Sequence, residues 1–226
     1  MIYAETCHGT FIQRPNRFIA HVEIGDKTVI AHVKNTGRCK ELLVPGAKVI
    51  LQKSDNSERK TSYDLITVWK DKRLINIDSQ APNKLFLEYL QSGRYVDGIT
   101  SIKPEAKYGS SRFDFYVEAG ERKIFIEVKG VTLEEDGIVL FPDAPTERGV
   151  KHLNELAQSI RAGYEAQVVF VIQMSDVRYF TPNNKTHPAF GEALLAAVEA
   201  GVKAVALDCV VTPDSLIIGN PAPIKL

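Results

Sequence analysis

Residues 108–130, YGSSRFDFYVEAGERKIFIEVKG, read as two strands folded around a two-residue turn. Glycine at the first turn position, Gly120-Glu121, fits a type II′ connection. That register sets Asp114 directly opposite Glu127. Side chains alternate faces along a strand, so one face carries Phe113, Phe115, Val117, Ile124, Ile126 and Val128, a core face. The other carries Arg112, Asp114, Tyr116, Glu127 and Lys129. Like charges directly opposite one another are unfavourable, so Asp114 and Glu127 call for a cation between them. Carboxylates on neighbouring strands suit a hard, oxygen-loving ion, Mg²⁺ or Mn²⁺, with the carbonyl of Val128 as a further ligand. Lys129 shares the face of Glu127 and is placed to polarise a water or neutralise developing charge. The plainer reading of the same residues is a charge ladder, with Arg112 and Lys129 flanking the two carboxylates.

Ahead of this hairpin the chain is punctuated by short strands. RFIAHVEI, the Gly25-Asp26 turn and TVIAHV form one hairpin, and PGAKVILQK, YDLITVWK and RLINID supply three more strands. Five strands with almost no helical periodicity predict a small OB-like β-barrel over residues 1–80. Its loop 32–47 turns at Asn35-Thr36-Gly37 and presents Lys34, Arg38 and Lys40, candidate contacts to a nucleic-acid backbone. Charge supports this weakly. Residues 1–80 carry 13 Lys and Arg against 9 Asp and Glu, a net of +4, and residues 81–226 carry 15 against 19, a net of −4. An acidic remainder argues against a protein that coats DNA by bulk charge, but not against one with a local metal site.

Ala81-Pro82-Asn83 marks the expected boundary, with Asn83 capping a helix, KLFLEYLQSG, that carries Glu88 mid-helix and ends at Gly93. After the hairpin, Val131–Leu140 reads as a strand or loop with an exposed acidic turn at Glu134-Glu135-Asp136. A helix capped by Asp143 or Thr146 follows, with Val150, Leu153, Ala157 and Ile160 as its buried stripe. Arg148, Lys151, His152 and Glu155 fall on its other side, a solvated face or a phosphate-binding one. The apolar run QVVFVIQ reads as a central strand, and a further helix and strand complete an α/β pattern with parallel pairing over residues 81–226. AFGEALLAAVEAGVKAVALDC is not a helix-turn-helix: VKAVALDCVV is β-branched and lacks side chains to reach bases. The other histidines have no ligand-like spacing. Three scattered cysteines form neither a disulfide framework nor a thiolate zinc site, and with no apolar run of membrane-spanning length they predict a cytoplasmic protein. The oligomeric state is open, a dimer being compatible with the sequence. A metabolic α/β enzyme is disfavoured, because a glycine-rich phosphate loop and a nucleophile elbow are both missing.

HVKNTGR (32–38), ELLVPGA (41–47), YGSSRFDF (108–115), EVKGVTL (127–133) and FPDAPTERGVKHLNEL (141–156) together resemble the SfsA family, the sugar fermentation stimulation proteins. The resemblance implies an N-terminal OB-like domain followed by a restriction-endonuclease-like α/β domain of the PD-(D/E)xK type. It implies Asp114 and Glu127 as the metal carboxylates, Lys129 as the motif lysine and Glu88 as a helical acidic residue at the metal. It places Arg148, Lys151 and His152 on the helix that abuts the active site, where with Arg112 they would meet nucleic acid. The chain departs from the family pattern at Gly130, His187 and Pro145. Two functions follow as expectations: a Mg²⁺- or Mn²⁺-dependent nuclease, or a non-specific DNA-binding regulator of sugar, particularly maltose, metabolism that does not cut.

Overall fold

The computed structural model describes residues 1–35, 37–56 and 58–226; Thr36 of the predicted loop turn and Ser57 lie outside the described residues. Strands β1 (Thr6–Asn16), β2 (Ile19–Ile24), β3 (Lys27–Val33), β4 (Lys48–Lys53), β5 (Tyr63–Lys70) and β6 (Arg73–Asn76) come first. β1 pairs with β2 and β4, β2 with β3, and β4 with β5. Parallel pairing of β3 with β5, from Ala31↔Tyr63 to Val33↔Leu65, closes the ring. This is a five-stranded barrel of OB type around Val22, Ala31, Val49, Leu51, Leu65 and Val68, all fully buried.

The membership of the ring differs from the sequence reading. The RLINID strand, β6, pairs with β5 at the sheet edge, and the fifth ring strand is β1. Two register shifts, between Phe11 and Gln13 and between Gln13 and Asn16, break the alternation of β1 and hid it as a strand. Gly9 permits the closure: a Cβ there would stand 2.5 Å from Val22 Cγ1 and 2.9 Å from Leu51 Cδ1.

The second half contains α1 (Ala81–Gln91), β7 (Ile99–Tyr108), β8 (Ser111–Ala119), β9 (Arg122–Val131), β10 (Leu133–Glu135), β11 (Ile138–Phe141), α2 (Glu147–Arg161), β12 (Glu165–Ile172), β13 (Tyr179–Pro182), α3 (Pro188–Glu199), β14 (Lys203–Val211) and β15 (Leu216–Pro221). Six strands form one sheet in the order β15-β14-β12-β9-β8-β7. Its centre, β14, β12 and β9, is parallel, and its wings are antiparallel. α1 packs Leu85, Phe86 and Leu90 against Phe115, Val117 and Ile126 on one face. α2 and α3 cover the other, where Leu153, Leu156 and Leu194 meet Phe125, Val168 and Phe170. The 203–211 segment is strand β14, so no helix-turn-helix forms there.

Residues 131–141 hold a hairpin, β10–β11, which joins β13 in a separate three-stranded sheet. Its turn has positive φ at Asp136 and Gly137, 51° and 80°, as a type I′ connection requires. Glu134 is therefore not in an exposed acidic turn: it is 4% exposed and clamps the two halves of the chain together. Its carboxylate lies 2.7 Å from Lys70 Nζ on β5 and 2.6 Å from Arg73 Nη1 on β6, both from the first half, and accepts the N–H of Gly137. Those partners hold its carboxyl below the usual carboxylate range even though burial, the larger influence, pushes it up. Glu134→Gln should cost about 2 kcal/mol, the scale of charge-assisted hydrogen bonds. Thermal denaturation at pH 7 checks this. A depressed carboxylate stabilises only while ionised, so the difference from the native chain should close as pH falls through that depressed value.

Candidate active site

The β8–β9 ladder runs from Ala119↔Arg122 to Phe115↔Ile126, the register expected from the turn, with Gly120 at φ 60°. It stops one pair short of Asp114 and Glu127. Beyond it β9 continues along β12, as far as Ile172↔Val131, while β8 parts from β9. The N–H of Val128 thereby loses a strand partner, and the Asp114 carboxylate replaces it: Oδ2 accepts from Val128 N at 2.7 Å. The ladder between β7 and β8 also skips the pair Glu105/Asp114, and Glu105 has φ 54°. Alternation fails at this kink. Phe113, expected on the face of Phe115, instead packs on the α2 side, 5.3 Å from the Phe125 ring and 6.2 Å from that of His152. Phe115 keeps the α1 side.

Asp114 Oδ1 accepts from Asn83 Nδ2 at 2.7 Å. Asn83 is thus a site residue and not a helix cap: α1 begins at Ala81, its N-cap is Gln80, and Pro82 occupies the first turn. Proline at that position is a known start signal, and weighting it over the cap preference of asparagine would have found the true boundary. Glu127, 3% exposed, accepts at Oε1 from Lys129 Nζ and His152 Nδ1, each at 2.5 Å. His152 was expected on the nucleic-acid face of its helix. It is 3% exposed and turned inward, with Nε2 3.3 Å from Arg148 Nε. An arginine can only donate, so Nε2 is the acceptor and Nδ1 carries the proton given to Glu127. Glu155, also expected on the wet side, is buried and takes the hydroxyl of Ser110 at 2.8 Å. Thr146 provides the cap of α2, its hydroxyl accepting from Gly149 N at 3.1 Å.

The two strand carboxylates titrate apart. Burial, and then the charge of Glu127, push Asp114 up to about 6. Burial also pushes Glu127 up, but the hydrogen bond from His152 and the charge of Lys129 outweigh it and hold Glu127 low. Glu127 Oε2 is buried and has no hydrogen-bond partner among the described residues. A buried carboxylate oxygen without a donor, coupled to a second carboxylate that resists ionising, is a donor set that fits a hard divalent cation. Among the described residues no three Asp, Glu, His or Cys side chains group closely enough to hold an ion by themselves. Such an ion would need backbone oxygen and water besides these two carboxylates to complete its shell.

Arg112, Arg148 and Lys151 line one open groove of about 510 Å³ with Ser110, Ser111 and Glu147, and His152 at its back. Arg38 and Lys40 are exposed and line a different groove, on the barrel. Lys34 is not available to phosphate: its Nζ lies 3.3 Å from Asp78 and 3.5 Å from Asp64, both buried. Glu88 does not join the site either. Its Oε2 binds the Met1 amine at 2.8 Å, beside Leu216 of β15. The resemblance assigned Glu88 by its place in a helix, but the side chain that α1 turns toward Asp114 is Asn83.

The family model described as the SfsA N-terminal OB domain matches residues 12–77, and that of the sugar fermentation stimulation protein RE domain matches residues 80–215. The chain belongs to the sugar fermentation stimulation protein family. A homologue from Desulfitobacterium hafniense (strain Y51) is 62% identical over 226 residues, 100% of this chain and 99% of that one. A homologue from Ruminiclostridium cellulolyticum is 58% identical over the full length of both. The solved structure of Pyrococcus furiosus SfsA in complex with Ca²⁺ superposes with a TM-score of 0.90 at 29% identity, covering 100% of this chain and 98% of that one. The α/β half is therefore the restriction-endonuclease-like domain of this family, carried behind an OB barrel. No helix among the described residues is long and apolar enough to cross a membrane.

Proposed function

We propose that this chain is a divalent-cation-dependent phosphodiesterase that acts on nucleic acid, with Asp114 and Glu127 as the metal carboxylates. The observation that carries the reading is the buried Oε2 of Glu127, without a donor among the described residues, next to the raised carboxyl of Asp114. The Ca²⁺ held by the Pyrococcus furiosus relative supports the cation. When bound, Mg²⁺ or Mn²⁺ supplies an activated water and charge neutralisation at the phosphate. The chain's own side chains do the rest. Lys129 holds Glu127 ionised and offers its ammonium to charge developing on the phosphate. His152 and Arg148 fix the orientation of Glu127 from behind, and Asn83 and the Val128 N–H fix Asp114. Arg112, Arg148 and Lys151 place the phosphate backbone in the groove above.

Purified protein should nick labelled nucleic acid in Mg²⁺ or Mn²⁺ and leave it intact in EDTA, and Asp114→Asn should be inert in both. A second reading, a DNA-binding regulator that does not cut, is favoured by the lack of a third acidic ligand among the described residues. Wild-type protein that binds DNA but cleaves nothing with any divalent ion would decide for it.

A further inference from the structure

The barrel carries a feature that the cation site does not use. The β1–β2 turn presents Phe18, 52% exposed, next to Arg17. The turn is set rigidly: Asn16 Oδ1 accepts from the N–H groups of Phe18 and Ile19 at 2.9 and 3.1 Å. Arg14 staples it to the loop after β3, donating to the carbonyls of Arg17, Asn35, Gly37 and Arg38 at 2.6–2.9 Å. A single exposed phenylalanine is ordinary; its company is not. Beside the turn lies a groove of about 680 Å³ lined by Arg14, Arg17, Arg38 and Lys40, with no aspartate or glutamate among its described lining residues; Asp143, which stands against Gly37, lines the adjoining cleft. Gln13, also in the groove, bonds His21 at 3.1 Å, and His21 pairs across the barrel face with Ile30, 50% exposed. The groove shares Gly37, Ala144 and Pro145 with a cleft between the two domains. That cleft reaches Gly130, the residue after the motif lysine.

We infer that this face grips single-stranded nucleic acid, with Phe18 stacking a base and Arg17, Arg38 and Lys40 tracking phosphates toward the cation site. Stacking on an aromatic needs an unpaired base, and a duplex hides its base faces; the chemistry therefore selects a single strand. The outer face of strands two and three and the first hairpin loop are where an OB barrel takes oligonucleotides. The inference rests on the proposed function for the direction of the path, but its test does not. Fluorescence anisotropy on the full chain in EDTA, with labelled oligothymidine and a blunt duplex of equal phosphate count, reads binding without cleavage. The single strand should bind more tightly than the duplex. Phe18→Ala should weaken it by about tenfold, within the range of a lost base stack, and Phe18→Tyr should restore it. Arg17→Ala with Lys40→Ala should reduce the salt slope by about 0.7 per lost phosphate contact. Binding of the single strand unchanged by Phe18→Ala, tighter binding of the duplex, or tighter binding of labelled polyglutamate of equal charge would overturn the inference. The last outcome would point to an acidic polypeptide instead. A protein that cuts nothing yet loses single-strand affinity with Phe18→Ala would retain this inference and lose the phosphodiesterase.

Discussion

Lys129→Met should lower divalent-ion-dependent cleavage by about 10²–10³, the usual scale for removing one preorganised electrostatic donor, while nucleic-acid binding in EDTA changes little. The lysine has two tasks here. Its Nζ is bonded to Glu127 Oε1, and its charge is among the influences that keep this 3%-exposed carboxylate ionised against its own burial. Methionine keeps the length and the apolar stem but leaves Glu127 with His152 as its hydrogen-bond donor. The Glu127 carboxyl should then rise toward the value that burial favours, and the acid limb of the pH–rate profile should move to higher pH with it. Single-turnover cleavage in Mn²⁺ as a function of pH measures both effects. A variant within tenfold of wild type and with an unmoved acid limb would remove Lys129 from the mechanism. Loss of rate without movement of the limb would leave it a role at the phosphate alone.

The central hairpin was legible because three local signals agreed: a glycine fixing the turn, strict alternation from Phe115 onward, and apolar residues on a single face. They placed the ladder correctly from Phe115↔Ile126 to Ala119↔Arg122. What they could not carry was the departure at Asp114, where the backbone exchanges a strand partner for a carboxylate and Phe113 changes face. A kink of that kind is imposed across the sheet, by Glu105 on the neighbouring strand and by Asn83 below, and no residue near Asp114 in sequence announces it. The same limit explains β1, a strand regular against β4 but irregular against β2, whose shifts make sense only in that pairing. It also explains Lys34 and Glu134, read as surface charges and found in buried ion pairs. Charge and spacing identify a residue able to ionise, and the partner that buries it comes from 44 or 64 positions away. His152 stands between these cases. Helical spacing put it beside Arg148 and Lys151, and only the packing of α2 on the sheet turned its ring inward to Glu127.

The raised carboxyl of Asp114 gives the second large effect. Its value of about 6, against an ordinary 3.8, means that the folded protein holds this proton after the unfolded chain has lost it. Between those two values the native state binds more protons, so stability without a divalent ion must fall as pH rises through the window, and the full penalty stands above pH 6. Two pKa units correspond to roughly 3 kcal/mol, and partial solvent access at this half-buried group brings the expected figure to about 2 kcal/mol. Asp114→Asn should therefore raise the melting temperature at pH 8 in EDTA by several degrees, and this gain should vanish below pH 4. The substitution is sterically neutral: the oxygen of the new amide can still take the Val128 N–H, and the Asn83 amide can turn to accept from the new nitrogen. Adding Mn²⁺ should reverse the ranking, because a cation between Asp114 and Glu127 stabilises the native carboxylate form and has far less to bind in the variant. Calorimetric melting at pH 4 and pH 8, with and without Mn²⁺, gives the four values needed. A variant less stable than wild type at pH 8 without metal would mean that Asp114 is held by its hydrogen bonds more than it is strained by its charge, and the case for a waiting cation would go with it.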